Sequence, residues 1–131
     1  MHVVKISSLE LELDNAGQIL NMGGPWIGDI SLKGQLIAQK CIIDNFKFDE
    51  SRGLLFFIKY HLVNRRKWYF AIQFYNVNSK TVYEFDRVFN MVYLGDFLDK
   101  TKLEIYHAFH DQNPLLKSVF DLDQEHFSKL S

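Results

Sequence analysis

The residues best suited to chemistry are the two histidines of the run His107-Ala108-Phe109-His110-Asp111. On a helix they would share a face, at the spacing of a metal-binding pair. The alternation from Lys102 to Phe109 predicts a strand instead, where His107 and His110 point to opposite faces. The other histidines, His2, His61 and His126, stand at no signature spacing. No metal or other cofactor is expected. Glu10 and Glu12 share the solvent face of one predicted strand, as do Glu84 and Asp86. An acid/base pair needs carboxyls that converge in a cleft, which this spacing does not specify. Cys41 lies in the apolar run QLIAQKCII without a Gly-rich elbow or a nearby histidine. It reads as a small buried residue and not as a nucleophile. A Ser/His/Asp triad lacks its nucleophile elbow. Gly23-Gly24 is followed by Pro25, which removes a backbone donor that a phosphate loop needs. The expectation is a protein without catalysis of its own.

Composition narrows the class further. A chain of 131 residues is read as one domain, residues 1–131. Apolar residues make up 47% and aromatic residues 15%, enough to build a core without help from metals or disulfides. A single Cys cannot form an internal disulfide, so nothing points to an oxidising compartment. The net charge is −1, and the two halves of the chain are nearly alike. A nucleic-acid binder would show a basic excess. The basic turn Asn64-Arg65-Arg66-Lys67 reads as a solvated hairpin tip. No apolar stretch approaches the ~20 residues of a membrane helix. MHVVKISSLELEL lacks the basic and apolar blocks of a signal peptide. A cytoplasmic protein that binds neither nucleic acid nor membrane is expected.

The elements that must position these residues are strands. From Leu54 to Phe109 the segments LLFFIKYHL, WYFAIQFYNV, TVYEF, FNMVYL and KLEIYHAF follow one another with short turns. The turns fall at Asn64–Lys67, Asn78–Lys80 and Gly95–Thr101. Val3–Leu13 reads as one half-buried strand, followed by a turn at Asp14–Gly17 and a strand at Gln18–Met22. Trp26, Gly28, Ile30 and Leu32 define one face of the next strand, with Trp26 as a core anchor. Gln35–Phe48 bends near Asp44-Asn45, and Asp49–Gly53 is a hairpin loop. Ser118–Leu122 is a further strand. Asp121 or Asp123 caps a short helix that ends near Leu130. The fold class is therefore mainly β: an antiparallel meander forming a curved sheet, barrel or sandwich, with one short C-terminal helix. A single curved sheet, closed or nearly so, is preferred to the sandwich.

Gly24-Pro25-Trp26 resembles the Gly-x-Trp signature of lipocalins, which implies a barrel holding a small apolar ligand. The triplet here follows two predicted strands instead of opening the first. The length resembles that of fatty-acid-binding proteins, but Asp14–Met22 is too short for their helical lid. In overall size and texture the chain resembles bacterial immunity proteins of contact-dependent growth inhibition. That resemblance rests on general character and not on a motif. It implies an inhibitor that binds a cognate toxin domain tightly and blocks its active site, often through acidic side chains. The acidic residues Asp96, Asp99, Asp111, Asp121 and Asp123 are the candidate partner-binding set. The alternative is an intracellular β-barrel carrier of a small apolar ligand.

Overall fold

The computed structural model describes residues 2–18, 25–108 and 114–130. Two antiparallel sheets contain nearly all the regular structure there. The larger holds β1 (His2–Ile6), β2 (Leu9–Gln18), β3 (Trp26–Leu32), β4 (Gln35–Ile42), β5 (Lys47–Asp49), β6 (Leu54–Asn64), β7 (Lys67–Asn76) and β8 (Thr81–Phe89). The smaller holds β9 (Tyr93–Asp99), β10 (Lys102–Tyr106) and β11 (Lys117–Asp121), with β10 in the middle. The last strand, β12 (Phe127–Leu130), returns to the larger sheet and pairs with β8.

β6 and β7 form the centre, and both of their faces are buried. Successive strand residues point to opposite faces. Leu55 and Phe57 enter one core while Phe56, Ile58 and Tyr60 enter the other. In β7, Tyr75 joins the first core, and Phe70, Ile72 and Phe74 join the second. Each face therefore needs a cover. Leu11, Leu13, Ile30 and Cys41 of the curled N-terminal strands supply the first. Leu94, Leu103, Ile105 and Phe120 of the small sheet supply the second, where they meet Phe85 and Phe89 of β8. Phe85 and Phe120 meet edge to face, 4.9 Å between ring centroids, a geometry aromatic quadrupoles favour.

The curl has local causes. The ladder between β2 and β3 shifts register between Asp14 and Gly17, and the ladder between β3 and β4 shifts on either side of Ile30. Asn15 and Lys40, one on each flanking strand, adopt left-handed φ values of 55° and 54°. The Asp29 carboxylate lies between them and accepts from Asn15 Nδ2 at 2.8 Å and from the Lys40 backbone N–H at 3.2 Å. One carboxylate thus holds irregularities on both neighbouring strands, and such bulges bend a sheet. Gly28 is required beside it, because a Cβ there would stand 2.8 Å from the Asp14 carbonyl oxygen.

Asn45 links the sheets. It lies in the bend between β4 and β5, 3% exposed. Its Nδ2 donates to the Leu94 carbonyl at 3.1 Å, and its Oδ1 accepts from the Leu94 N–H at 2.6 Å. The side chain thus substitutes for one residue of a pairing strand along β9.

Several expectations need correction. The short C-terminal helix is absent: Phe127–Leu130 is β12, and among the described residues the only helical piece is a 3-10 turn at Pro114–Leu116. Phe127 packs edge-on against Phe74, Tyr83 and Phe85. That contact and the ladder to β8 outweigh a segment too short to propagate a helix. Asp121 instead caps a turn, accepting from the Asp123 N–H at 3.0 Å. The sheet is curved but not a closed barrel, since β1 and β12 form its two ends. The meander breaks after β8, and β9 to β11 form a separate sheet. Tyr93–Asp99 is a strand, so the turn expected at Gly95–Thr101 shrinks to its last residues. Val3–Leu13 is a hairpin and not one strand, reversing at Ser7-Ser8, with Ser7 at a φ of 53°. Asp14–Gly17 lies within β2 as an irregularity and not a turn. The expected strand Gln18–Met22 and the Gly23-Gly24 pair fall largely or wholly outside the described residues. Trp26 is not a core anchor. It is 49% exposed at the first position of β3, while Ile27 takes the buried place.

Two stability outcomes follow. Asn45→Ala strands both polar groups of Leu94 and is expected to cost about 2–4 kcal/mol in denaturant melts. Asn45→Asp should fail to rescue it, because a carboxylate cannot donate to the Leu94 carbonyl. Trp26→Ala should cost only about 1–2 kcal/mol, well under the loss for a fully buried Trp.

Candidate binding surface

The structure brings three of the candidate acidic residues to one end of the small sheet. Lys102 lies opposite Asp99 in one ladder and opposite Asp121 in the other. Asp123 follows in the turn after β11 and is exposed. Asp99 Oδ1 accepts from the Thr101 N–H at 2.8 Å and from its hydroxyl at 3.0 Å. These bonds, with Lys102 nearby, hold the Asp99 carboxyl below its ordinary range. Asp96 stands apart, in the middle of β9, with Lys47 Nζ of β5 at 3.6 Å. Asp111 lies outside the described residues. The outer face of the small sheet also carries a Lys117–Glu104 pair at 2.9 Å, and Glu104 raises the Lys117 ammonium above its usual value.

A second polar group lies on the larger sheet. Glu84 of β8 accepts from Gln73 Nε2 at 2.9 Å and contacts His61 Nε2 at 2.5 Å. The His61 ring stacks on Tyr69, 4.7 Å between centroids. Glu84 is thus not a free solvent-face carboxylate like Asp86. The curled N-terminal strands turn its face of the sheet into a concave one, which strand alternation alone does not reveal. His–Glu pairing orients an imidazole, but proton transfer needs a reacting group within reach. Among the described residues no cluster of three His, Cys, Asp or Glu could hold a metal.

The other residues singled out by sequence have structural partners. His107 Nε2 lies 2.8 Å from Ser118 Oγ, and His110 is outside the described residues. Cys41 is fully buried. Burial pushes its thiol up to about 12, outweighing the lowering effect of Lys59. Arg65 and Arg66 form the exposed tip between β6 and β7, where Asn64 Oδ1 accepts from the Arg66 N–H at 2.9 Å. Glu12 Oε1 accepts from the Gly34 N–H at 2.9 Å, in a two-residue turn with Lys33 and Gly34 both at left-handed φ. No described helix is long and apolar enough to cross a membrane. No protein-family model, curated protein or solved structure matches the chain.

Two measurements check this geometry. Cys41 should resist alkylation by iodoacetamide at pH 8 in the folded protein and react once denaturant is added. The Asp99 pKa is depressed on folding, so its carboxylate stabilises above the unfolded value and loses that effect as pH falls through the folded one. Asp99→Asn should therefore destabilise at neutral pH, and the difference from the parent should vanish in acid denaturation curves.

Proposed function

We propose that this chain is a protein-binding inhibitor of the immunity type, which neutralises a cognate bacterial toxin domain by occluding its active site. The observation that carries the reading is the acidic end of the small sheet. Asp99 and Asp121 come from separate strands, their carboxylates are fixed by backbone donors, and Asp123 projects beside them. Groups already fixed lose little entropy on binding, which favours tight association. The carrier alternative needs a hollow between the sheets. The rings of Phe56, Phe70, Phe74, Phe85 and Phe120 occupy that space. Toxin neutralisation in the bacterial cytoplasm, with no turnover by this chain, fits a molecule whose core is packed and whose charges lie at its surface.

The test is co-expression with the product of the neighbouring gene, followed by pull-down and a growth-rescue assay. Binding in the nanomolar range, about −12 kcal/mol, is expected. Asp123→Lys combined with Asp99→Asn should slow association, and added salt should slow it in the parent. Rescue unaffected by both changes would place the contact elsewhere. A neighbouring product that neither binds nor is neutralised would remove the immunity reading.

A further inference from the structure

The hairpin of β6 and β7 outruns its neighbours. β8 pairs with β7 only as far as Phe70, opposite Phe89, and β4 pairs with β6 only at Lys59, opposite Cys41. The ladder between β6 and β7 continues through His61–Tyr69 and Leu62–Trp68 to Asn64–Lys67. Its tip therefore projects past the strands on either side, on two strands that both cores hold in place.

The tip is apolar and cationic at once. Leu62 and Val63 are 55% and 54% exposed. Arg65, Arg66 and Lys67 follow, all exposed. None of these three forms an ion pair among the described residues. No Asp or Glu occurs between Gly53 and Tyr83, so neither strand of the hairpin carries an acidic residue. The aromatic rings beside the tip are already engaged: Trp68 packs against the core, and His61 stacks on Tyr69. Bases stack on free ring faces, so the pattern does not suit a nucleic acid. The sequence alone reads this turn as solvated. The two aliphatic side chains left in water beside it change that reading.

We propose that the tip of the β6–β7 hairpin docks on an anionic lipid surface. Leu62 and Val63 enter the boundary between headgroups and acyl chains, while Arg65, Arg66 and Lys67 meet the lipid phosphates and carboxylates. Such a surface is recognised by charge together with apolar insertion and requires no pocket. The association is peripheral and reversible, since so small an apolar area holds far less firmly than a spanning helix. The acidic end of the small sheet lies away from the tip. β9 starts four residues after Phe89 and carries the chain about 20 Å to Asp99, at ~3.3 Å per residue. The proposal therefore does not depend on the inhibitor reading.

The probe is sucrose-loaded vesicles of phosphatidylcholine, with or without about a third phosphatidylserine, sedimented with the full chain. Binding to the phosphatidylserine vesicles is expected, about tenfold or more above plain phosphatidylcholine, and high salt should release it. Arg65→Gln with Arg66→Gln should weaken it about thirtyfold. Leu62→Ser with Val63→Ser should weaken it about tenfold with every charge kept. All four side chains are exposed, so both variants should melt like the parent. Acrylodan attached at Val63→Cys should shift to the blue on these vesicles, and at Asp123→Cys it should not. Cys41 is buried, so the label goes to the new thiol. Equal binding to the two kinds of vesicle, no loss in either double variant, or a blue shift at both labels would each overturn the proposal. A uridine dodecamer that binds where vesicles do not would overturn it in favour of nucleic acid.

Discussion

The burial of β6 and β7 on both faces is the constraint on which the remaining structure depends. Leu55, Phe56, Phe57 and Ile58 are consecutive and essentially inaccessible to water. No single-faced sheet can hide four such neighbours, because alternate residues point in opposite directions. The chain must therefore build two covers. The strands before β6 provide one by curling over the Leu55 and Phe57 face. The strands after β8 provide the other by leaving the first sheet and packing across the Phe56 and Ile58 face. Topology follows from this demand: β9 cannot continue the meander and also cover it, so the place beside β8 falls to β12.

The two covers are attached in different ways. The N-terminal cover stays in the same sheet and is bent over by irregularities on both sides of Asp29. The small sheet is separate, so it needs a polar link besides its apolar contacts. Asn45 provides that link by meeting both backbone groups of Leu94 from a bend in the other sheet. A neutral amide offers a donor and an acceptor on two separate atoms, spaced to meet the N–H and C=O of one residue. The bend between β4 and β5 is thus a joint between layers as well as an interruption of a strand.

Much of this was legible in the sequence, and the failures have physical sources. The strands and most of the turns from Leu54 onward follow from alternation and polar turn residues. The bend near Asp44-Asn45 and the buried Cys41 were also legible. The layering was not, although it left a signal. LLFFI has no polar alternation at all, and near-continuous apolar runs mark strands buried on both faces. Read as half of a two-sided strand, the run implies one sheet; read whole, it implies two covers. Trp26 was misplaced because parity was counted through a strand whose first residue lies at its exposed end. The C-terminal helix was misjudged because Asp121 and Asp123 cap turns as readily as helices. At the surface, sequence grouped acidic residues by proximity along the chain. Register instead puts Asp99 and Asp121 on either side of Lys102 and leaves Asp96 facing Lys47. Gln73 escaped notice and Glu84 read as a solvent-face carboxylate, because their environment is made by strands distant in the chain.

A net charge of −1 conceals an uneven surface. Acidic side chains gather at one end of the small sheet, whereas residues 35–39 of β4 border a groove whose lining includes Lys59, Lys80 and Lys129 and no carboxylate. Both features arise where ladders end. A β–β turn needs acceptors for its free N–H groups, and aspartate supplies them, so acidity accumulates there as a by-product of chain reversal. Where β4 peels from β6, the free edge has carbonyls to satisfy, and Lys59 meets one of them at Gln39. Charges recruited for folding thus become available for recognition. Gln73 differs from them: half of its amide is paired and half is not. The bond to Glu84 offsets only part of the cost of burying the unpaired oxygen.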